Sequence, residues 1–245
     1  MKRYFVLLSI SLFVFACNEQ TKRRSDFSVH GIDVSHYQKH IDWKAVAAQG
    51  IHFAFIKATE GETFRDSLFC RNWMEIKDAG IKRGAYHFFR PTLSAETQVK
   101  NFIEGIELGH GDLAPVLDVE VVDGVSEEVL RQGVMTWLHL VESTYKIKPI
   151  IYTNQKFFNR YLAGHFYGYP IWIARYNSWF KPCLRDHHDW AFWQYGNKGR
   201  LEGINSYVDF NVFRGSQEEL ENYCLNRPQP LLDLSKPDLA SATNP

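Results

Sequence analysis

The chain has 245 residues, 45% of them hydrophobic, with 28 basic and 28 acidic side chains. This is long and apolar enough for one domain with a sizeable core. Because there is no basic excess, nucleic acid and anionic membrane surfaces are not expected as partners.

The first 16 residues have the pattern of a secretory signal. Lys2 and Arg3 precede an apolar stretch, 4–16, which is short for a membrane span but typical of a signal-peptide core. Ala16 directly precedes Cys17, so the segment resembles a bacterial lipoprotein signal in which Cys17 becomes the lipidated first residue. A soluble form cut near Ala16 and an uncleaved signal anchor are the alternatives. Removal of residues 1–16 would leave 26 basic and 28 acidic side chains.

Composition divides the rest of the chain into three parts. Residues 17–28 are polar and are predicted to be a tether, and 226–245 are predicted to be a Pro-rich disordered tail. The predicted domain is therefore 29–225. Its cysteines, Cys70, Cys183 and Cys224, are odd in number and widely spaced, so at most one disulfide is expected and thiolate metal binding is not.

Within this domain, β-rich runs alternate with helical patterns. The predicted strands are 30–35, 52–58, 83–89, 114–120, 149–154, 170–176, 189–195 and 207–213. The predicted helices are 42–49, 66–79, 95–108, 126–145 and 156–162. Such alternation predicts a parallel α/β fold, and eight strands favour a closed TIM-like barrel. Since the last connections are short, we expect about five βα units followed by three strands without regular outer helices.

The fourth run, 114–120, ends in two carboxylates. On an extended strand Asp118 and Glu120 share one face, with their Cα atoms about 7 Å apart. In a partly dry site such a pair can hold one proton near neutral pH, which supplies a general acid beside a charged carboxylate. Glycosidic bond cleavage requires this combination.

Other polar and aromatic residues fall in the same barrel strands. Because the carboxyl ends of barrel strands carry the chemistry, we expect the residues near them to meet at one rim. Asp33 and Asp209 add acids, and aromatic rings in phase with the acids would stack on sugar faces. The candidate substrate-binding residues are Tyr86, Tyr152, Tyr176, Gln194 and Lys57.

Seven motifs in order resemble one known family. They are GIDVS at 31–35, KATEG at 57–61, AYHF at 85–88, PVLDVE at 115–120, WIARY at 172–176, WQY at 193–195 and VDFN at 208–211. Together they are similar to the glycoside hydrolase family 25 lysozymes, the Chalaropsis-type muramidases, over about residues 29–214.

The resemblance implies hydrolysis of the β-1,4 bond between N-acetylmuramic acid and N-acetylglucosamine in peptidoglycan. It places the general acid on Glu120 and assisting roles on Asp118, Asp33 and Asp209, without a metal or other cofactor. It also suggests retention of configuration, in which the substrate's own acetamido group can take part. The expected protein is a monomeric enzyme of the bacterial cell envelope, attached to the membrane only through lipidated Cys17 or else secreted.

Two other interpretations are open at this point. Four carboxylates could hold a divalent cation, and His36 and His87 lie near the acidic runs, although no H-x-H or H-E-x-x-H spacing accompanies them. Alternatively, the barrel could bind peptidoglycan without cleaving it. Binding would need the aromatic residues but not a paired acid.

Overall fold

A computed structural model describes residues 20–176 and 179–226. The predicted signal (1–16), Cys17 and residues 227–245 of the predicted tail lie outside these ranges. In the part of the chain that the structure describes, nine strands form one sheet: β1 (Val29–Val34), β2 (Phe53–Glu60), β3 (Phe64–Arg65), β4 (Lys82–Phe88), β5 (Val116–Asp118), β6 (Ile150–Asn154), β7 (Ile171–Ala174), β8 (Phe192–Gly199) and β9 (Val208–Phe213). The sheet closes through pairing of β1 with β2, which confirms the predicted barrel. The short β3, which was not predicted, only extends the end of β2 as a hairpin.

The direction of β9 departs from the predicted parallel arrangement. The pairs from β1 to β8 around the barrel are parallel, whereas β9 runs antiparallel to both β8 and β1. A parallel crossover needs a dozen or more residues, usually with a helix. The connection 200–207 contains no helix, so β9 returns in the opposite direction.

The outer helices follow the first five barrel strands, as expected. They are α1 (Trp43–Ala48), α2 (Phe69–Asp78), α3 (Ala95–Gly105), α4 (Glu127–Tyr145) and α5 (Gln155–Phe157), which continues into a π-helical turn at Phe158–Leu162. The side chains of Asp42, Ser94 and Ser126 cap α1, α3 and α4. Asp66 does not cap α2, because that helix begins only at Phe69. A short α6 (Gln217–Leu220) follows β9. Among the described residues, none of the helices is long and apolar enough to cross a membrane.

Alternation along the strands produces two apolar layers. Alternate residues of each strand point into the barrel, and their side chains fill the interior below the carboxyl-terminal ends of the parallel strands. Among them are Val29, Phe53, Phe55, Val116, Ile150, Trp172, Phe192 and Phe213. The opposite parity, which includes Ile32, Ile56 and Leu117, packs against helical residues such as Phe102, Trp137 and Leu138. Because the lower interior is filled with rings, only its upper, carboxyl-terminal end is left for a site.

Gly31 makes room for one of the interior rings. A Cβ atom at this position of β1 would overlap the Phe53 ring on the neighbouring strand. We expect Gly31→Ala to lower the free energy of unfolding by about 1–3 kcal/mol, since the ring must shift inside a packed core. Urea unfolding measures this change. Gly109→Ala is the matched control, because its Cβ would meet no atom closer than 3.8 Å; equal losses in both variants would contradict the packing argument.

The described part of the predicted tether lies against the barrel. The Arg24 guanidinium stacks over the Trp193 ring at 4.4 Å, and Phe27 contacts the rings of Trp190 and Trp193. The Thr21 backbone N–H donates to the Lys198 carbonyl at 3.1 Å. Residues 21–27 therefore cover an outer face of β8 that has no helix over it, rather than forming a free spacer. The domain cysteines, Cys70, Cys183 and Cys224, are free thiols.

Candidate active site

Eight of the nine predicted catalytic and substrate-binding residues meet in one pocket. Strand alternation aims Asp33, Tyr86, Asp118, Tyr152 and Gln194 into the barrel above the apolar layer. The pocket has a volume of about 200 Å³ and is lined by Asp33, Tyr86, Asp118, Glu120, Tyr152, Trp172, Tyr176, Gln194 and Asp209. Acids from three strands and from the segment after β5 thus share a small space with four aromatic rings.

Asp209 reaches the pocket because β9 is antiparallel. It is the second residue of its strand, so a parallel β9 would have placed it near the opposite end of the barrel. In the observed register Asp209 pairs directly with Asp33, near the end of β1. Glu120 lies two residues beyond β5, in the segment that leads to α4.

A hydrogen-bond network fixes Asp33 at one side of the pocket. Its Oδ2 accepts from Gln194 Nε2 at 2.8 Å and from Asn211 Nδ2 at 2.7 Å. Gln194 Oε1 in turn accepts from the hydroxyl groups of Tyr152 and Tyr176, each at 2.7 Å. These donors hold the amide and the two rings in fixed positions around the pocket.

Asn211 and Trp172 belong to this network but were not among the predicted site residues. The Trp172 Nε1–H donates to Asn211 Oδ1 at 2.8 Å, and Trp172 also lines the pocket. Strand alternation in the sequence places both residues inside the barrel. Asn211 lies two residues after Asp209, and Trp172 lies two residues before the inward-facing Ala174.

The Asp118–Glu120 pair is held in a desolvated environment. Burial, and then the neighbouring Glu120 carboxylate, raise the pKa of Asp118 well above its usual range. Burial also raises the pKa of Glu120, against the opposing effects of a hydrogen bond from Asp118 and the positive charge of Lys57. Asp118 Oδ1 is buried without a hydrogen-bond partner. The pair can therefore retain a proton at a pH where exposed carboxyl groups have lost theirs.

A second acidic pair faces the first. Burial and the Asp209 charge raise the pKa of Asp33, although Asn211 and Gln194 hydrogen bonds act in the opposite direction. Burial raises the pKa of Asp209 to about 6, while a hydrogen bond from Asp33 lowers it. Four carboxyl groups in one small pocket cannot all ionise at low cost, so the site combines protonated and charged carboxyls near neutral pH.

Lys57 does not line the pocket. Its Nζ donates to Glu60 Oε2 at 2.6 Å and lies over the rings of Phe64 and Phe88. Its charge still reaches the acids, since it lowers the pKa of both Asp118 and Glu120. Its predicted part in substrate binding stays a prediction.

The two histidines near the acidic runs have other partners. The His36 ring bonds to Asp66 at 2.7 Å, and the fully buried His87 bonds to Thr59 Oγ1 at 2.7 Å and to Gln98 Oε1 at 3.1 Å. His87 stacks on Trp137, on the helix side of the barrel wall. Within 20–176 and 179–226 no group of three or more His, Cys, Asp or Glu side chains has an arrangement that could hold a metal ion.

Burial of His87 makes stability depend on pH. Burial lowers its pKa from 6.5 to about 4, so between these values the unfolded chain binds a proton that the folded chain does not. Stability from this group is complete above pH 6.5 and is lost as the pH falls. The unfolding free energy of the wild-type protein should fall between pH 7 and pH 5. In His87→Gln this fall should be smaller by about 1–2 kcal/mol, measured by urea unfolding. His187→Asn, at an exposed turn, should leave the loss unchanged; an unchanged loss in His87→Gln would contradict the assignment.

A barrel with acid pairs and aromatic rings at the carboxyl-terminal end of its strands is typical of glycoside hydrolases. The model of the glycosyl hydrolases family 25 matches residues 32–204. The protein belongs to glycosyl hydrolase family 25.

Relatives and solved structures agree with this membership. The chain is 43% identical to the uncharacterized protein YegX of Escherichia coli K12 over 204 residues, which cover 81% of the chain and 74% of that protein. It is 35% identical to lysozyme M1 of Streptomyces globisporus, over 83% of the chain and 74% of the relative. A family 25 glycosyl hydrolase from Bacillus anthracis superposes with a TM-score of 0.79 at 35% identity, covering 84% of this chain and 98% of the other.

Proposed function

We propose that this glycoside hydrolase is a lysozyme that cleaves the β-1,4 bond between N-acetylmuramic acid and N-acetylglucosamine in peptidoglycan. The observation that carries the proposal is the buried Asp118–Glu120 pair, in which desolvation raises the pKa of both carboxyl groups. Relatives named as lysozymes or muramidases, from Streptomyces globisporus, Clostridium acetobutylicum and Arthroderma benhamiae, support the substrate class.

In this proposal Glu120 is the general acid. Cleavage of a glycosidic bond requires a proton on the leaving oxygen as positive charge develops on the sugar. Glu120 stands at the pocket with a pKa raised by burial, so it can hold that proton. Asp118 orients it and shares the proton, whereas Asp33 and Asp209 supply negative charge on the opposite side of the pocket, where it can stabilise the oxocarbenium-like charge.

The tyrosines and Gln194 bind the sugar. The pKa values of Tyr86 and Tyr152 are raised by burial and by the neighbouring acids, so their hydroxyl groups stay protonated and able to donate. Tyr176, at 41% exposure, presents a ring at the mouth of the pocket on which a sugar face can stack. Lys57 binds from the edge of the site. Configuration is retained, with the 2-acetamido group of the substrate taking part.

The proposed location is the bacterial cell envelope. Residues 1–16 act as the signal and Cys17 carries the lipid anchor, so the monomeric enzyme is held at the membrane while the barrel reaches glycan strands. Detergent-phase partition of the expressed protein, and its loss in Cys17→Ser, test the anchor without reference to activity.

Digestion of purified peptidoglycan tests the activity. Released fragments are reduced with borohydride and analysed by mass spectrometry. A muramidase leaves N-acetylmuramic acid at each new reducing end, and new ends on N-acetylglucosamine would overturn the bond assignment. Loss of activity with a chelator would support a metal-dependent hydrolase instead. Wall binding without any released fragment would support a non-catalytic binding barrel.

A further inference from the structure

Glu60 uses its two carboxylate oxygens for two different cations at the rim of the barrel. Oε2 accepts from Lys57 Nζ at 2.6 Å, and Oε1 accepts from Arg90 Nη2 at 2.6 Å and from Arg90 Nε at 3.0 Å. Burial alone would raise the pKa of Glu60, but these hydrogen bonds outweigh it and the pKa is lowered. Glu60 is therefore ionised and held on both sides.

Lys57 is the cation whose charge lowers the pKa of both Asp118 and Glu120. It extends from the same face of β2 as Phe53 and Phe55, above their layer, and its register partner on β4 is Tyr86. Its side chain is 13% exposed. Since a lysine ammonium sits on a flexible four-carbon stem, it can reorient between neighbouring anions. Apart from Glu60, the anions whose pKa it lowers are Asp118 and Glu120.

Asp118 has an unused hydrogen-bond acceptor within the electrostatic influence of the Lys57 ammonium. Asp118 Oδ1 is buried and accepts no hydrogen bond, and an ammonium that reached it would gain a charge-assisted one. Such an ion pair would favour ionised carboxylates and would remove the proton that Glu120 has to donate. In the structure the Lys57 ammonium donates to the Glu60 carboxylate instead.

Arg90 ties the same carboxylate to the segment that carries Glu120. Its guanidinium stacks over Phe88 at 4.8 Å, and Nη1 approaches Asp123 Oδ2 at 3.4 Å. Asp123, three residues after Glu120, has a φ of 48°, in the left-handed region that aspartate adopts more readily than most residues with a side chain. Glu60, at the end of β2, is thereby connected through Arg90, two residues after β4, to the loop after β5.

We propose that Glu60 is a positioning residue that holds the Lys57 ammonium away from Asp118 and Glu120, so that Glu120 keeps the proton it donates. The inference rests on the proposed role of Glu120 as general acid. The other groups that face the acid pair from the surrounding strands are Asp33 on β1, Tyr86 on β4, Tyr152 on β6, Tyr176 after β7, neutral Gln194 on β8 and Asp209 on β9. Lys57, on β2 and outside the pocket lining, supplies the positive charge that lowers the pKa of both acids.

The pH dependence of kcat/KM for peptidoglycan hydrolysis tests the proposal, with the full-length protein. In Glu60→Gln the released ammonium should pair with the acids and move the basic limb of the profile to lower pH by about one unit or more. In the double variant Glu60→Gln with Lys57→Met the ammonium is absent, and the limb should return toward or above its wild-type position, whatever the substitutions cost in maximal rate.

Controls separate this effect from loss of structure. Glu104→Gln breaks an exposed ion pair with Arg65 that does not involve Lys57, and it should leave the limb in place. Thermal unfolding confirms that each variant is folded at the assay temperature. A folded Glu60→Gln with an unmoved limb, or a limb that the double variant fails to restore, overturns the proposal. If Glu120 is not the acid, Glu120→Gln retains turnover, which is a separate result.

Discussion

Replacement of Glu120 by glutamine is expected to lower the rate of peptidoglycan cleavage by about 10²–10⁴-fold, close to background. The amide keeps the shape and hydrogen-bonding size of the side chain but cannot transfer a proton to the leaving oxygen. The pocket lining and the network around Asp33 do not depend on that proton. Binding of the variant to insoluble peptidoglycan should therefore persist, and co-sedimentation measures it beside the rate of fragment release.

An exposed glutamate provides the matched control. Glu128 lies in the first turn of α4, exposed to solvent, and Glu128→Gln should retain the wild-type rate. Near-wild-type lysis by folded Glu120→Gln would refute its assignment as the acid. Loss of both lysis and wall binding would instead indicate a collapsed site, which thermal unfolding would reveal.

Replacement of Asp118 by asparagine is expected to act on activity and stability in opposite directions. The rate should fall by about 10² or more, because Asp118 no longer shares the proton of the pair. The unfolding free energy near neutral pH should rise by about 1 kcal/mol or more, which corresponds to an increase of about 2–4 °C in melting temperature for a domain of this size. Rate assays and thermal unfolding of one protein preparation measure both effects.

The sign of the stability effect follows from proton linkage. Burial raises the pKa of Asp118 above its ordinary value of 3.8. The folded state thus binds the proton of Asp118 more tightly than the unfolded chain does. The stability that this proton contributes is fully present below about pH 4 and is lost as the pH rises through the folded pKa. An asparagine does not ionise, so it carries no loss of stability at neutral pH. Its amide can donate a hydrogen bond to Glu120, as the protonated Asp118 does. The gain should disappear below pH 4.

Asp112→Asn is the control of opposite sign. Asp112 is also buried, but it forms an ion pair with Arg83 at 2.6 Å, and a neutral residue there leaves that guanidinium without its partner. The variant should be destabilised while the rate of a folded sample is unchanged. Destabilisation of Asp118→Asn to the extent seen in Asp112→Asn would show that the buried Asp118 carboxyl does not lower the stability of the fold at neutral pH.

Much of the barrel could be predicted from strand alternation. Each of the eight predicted β-runs overlaps an observed barrel strand, because buried strands are short, β-branched and bounded by turn residues. The same periodicity identified the inward-facing residues, including Asp33, Asp118 and Tyr152. The same periodicity places Asn211 and Trp172 inside the barrel, but the hydrogen bond between them, which joins them to the site, is a contact between strands that no single run of sequence displays.

The sequence by itself determined which residues can carry the chemistry: paired carboxylates at i and i+2, aromatic rings in phase, and family motifs in order. The tertiary structure decided three further points. The antiparallel course of β9 brought Asp209 beside Asp33, because a short loop cannot make a parallel crossover. Lys57 forms an ion pair with Glu60 and does not line the pocket. Closure of the barrel over an apolar floor desolvated the acids, and this desolvation, a property of the assembled fold, turned a common D-x-E spacing into a pair with raised pKa values.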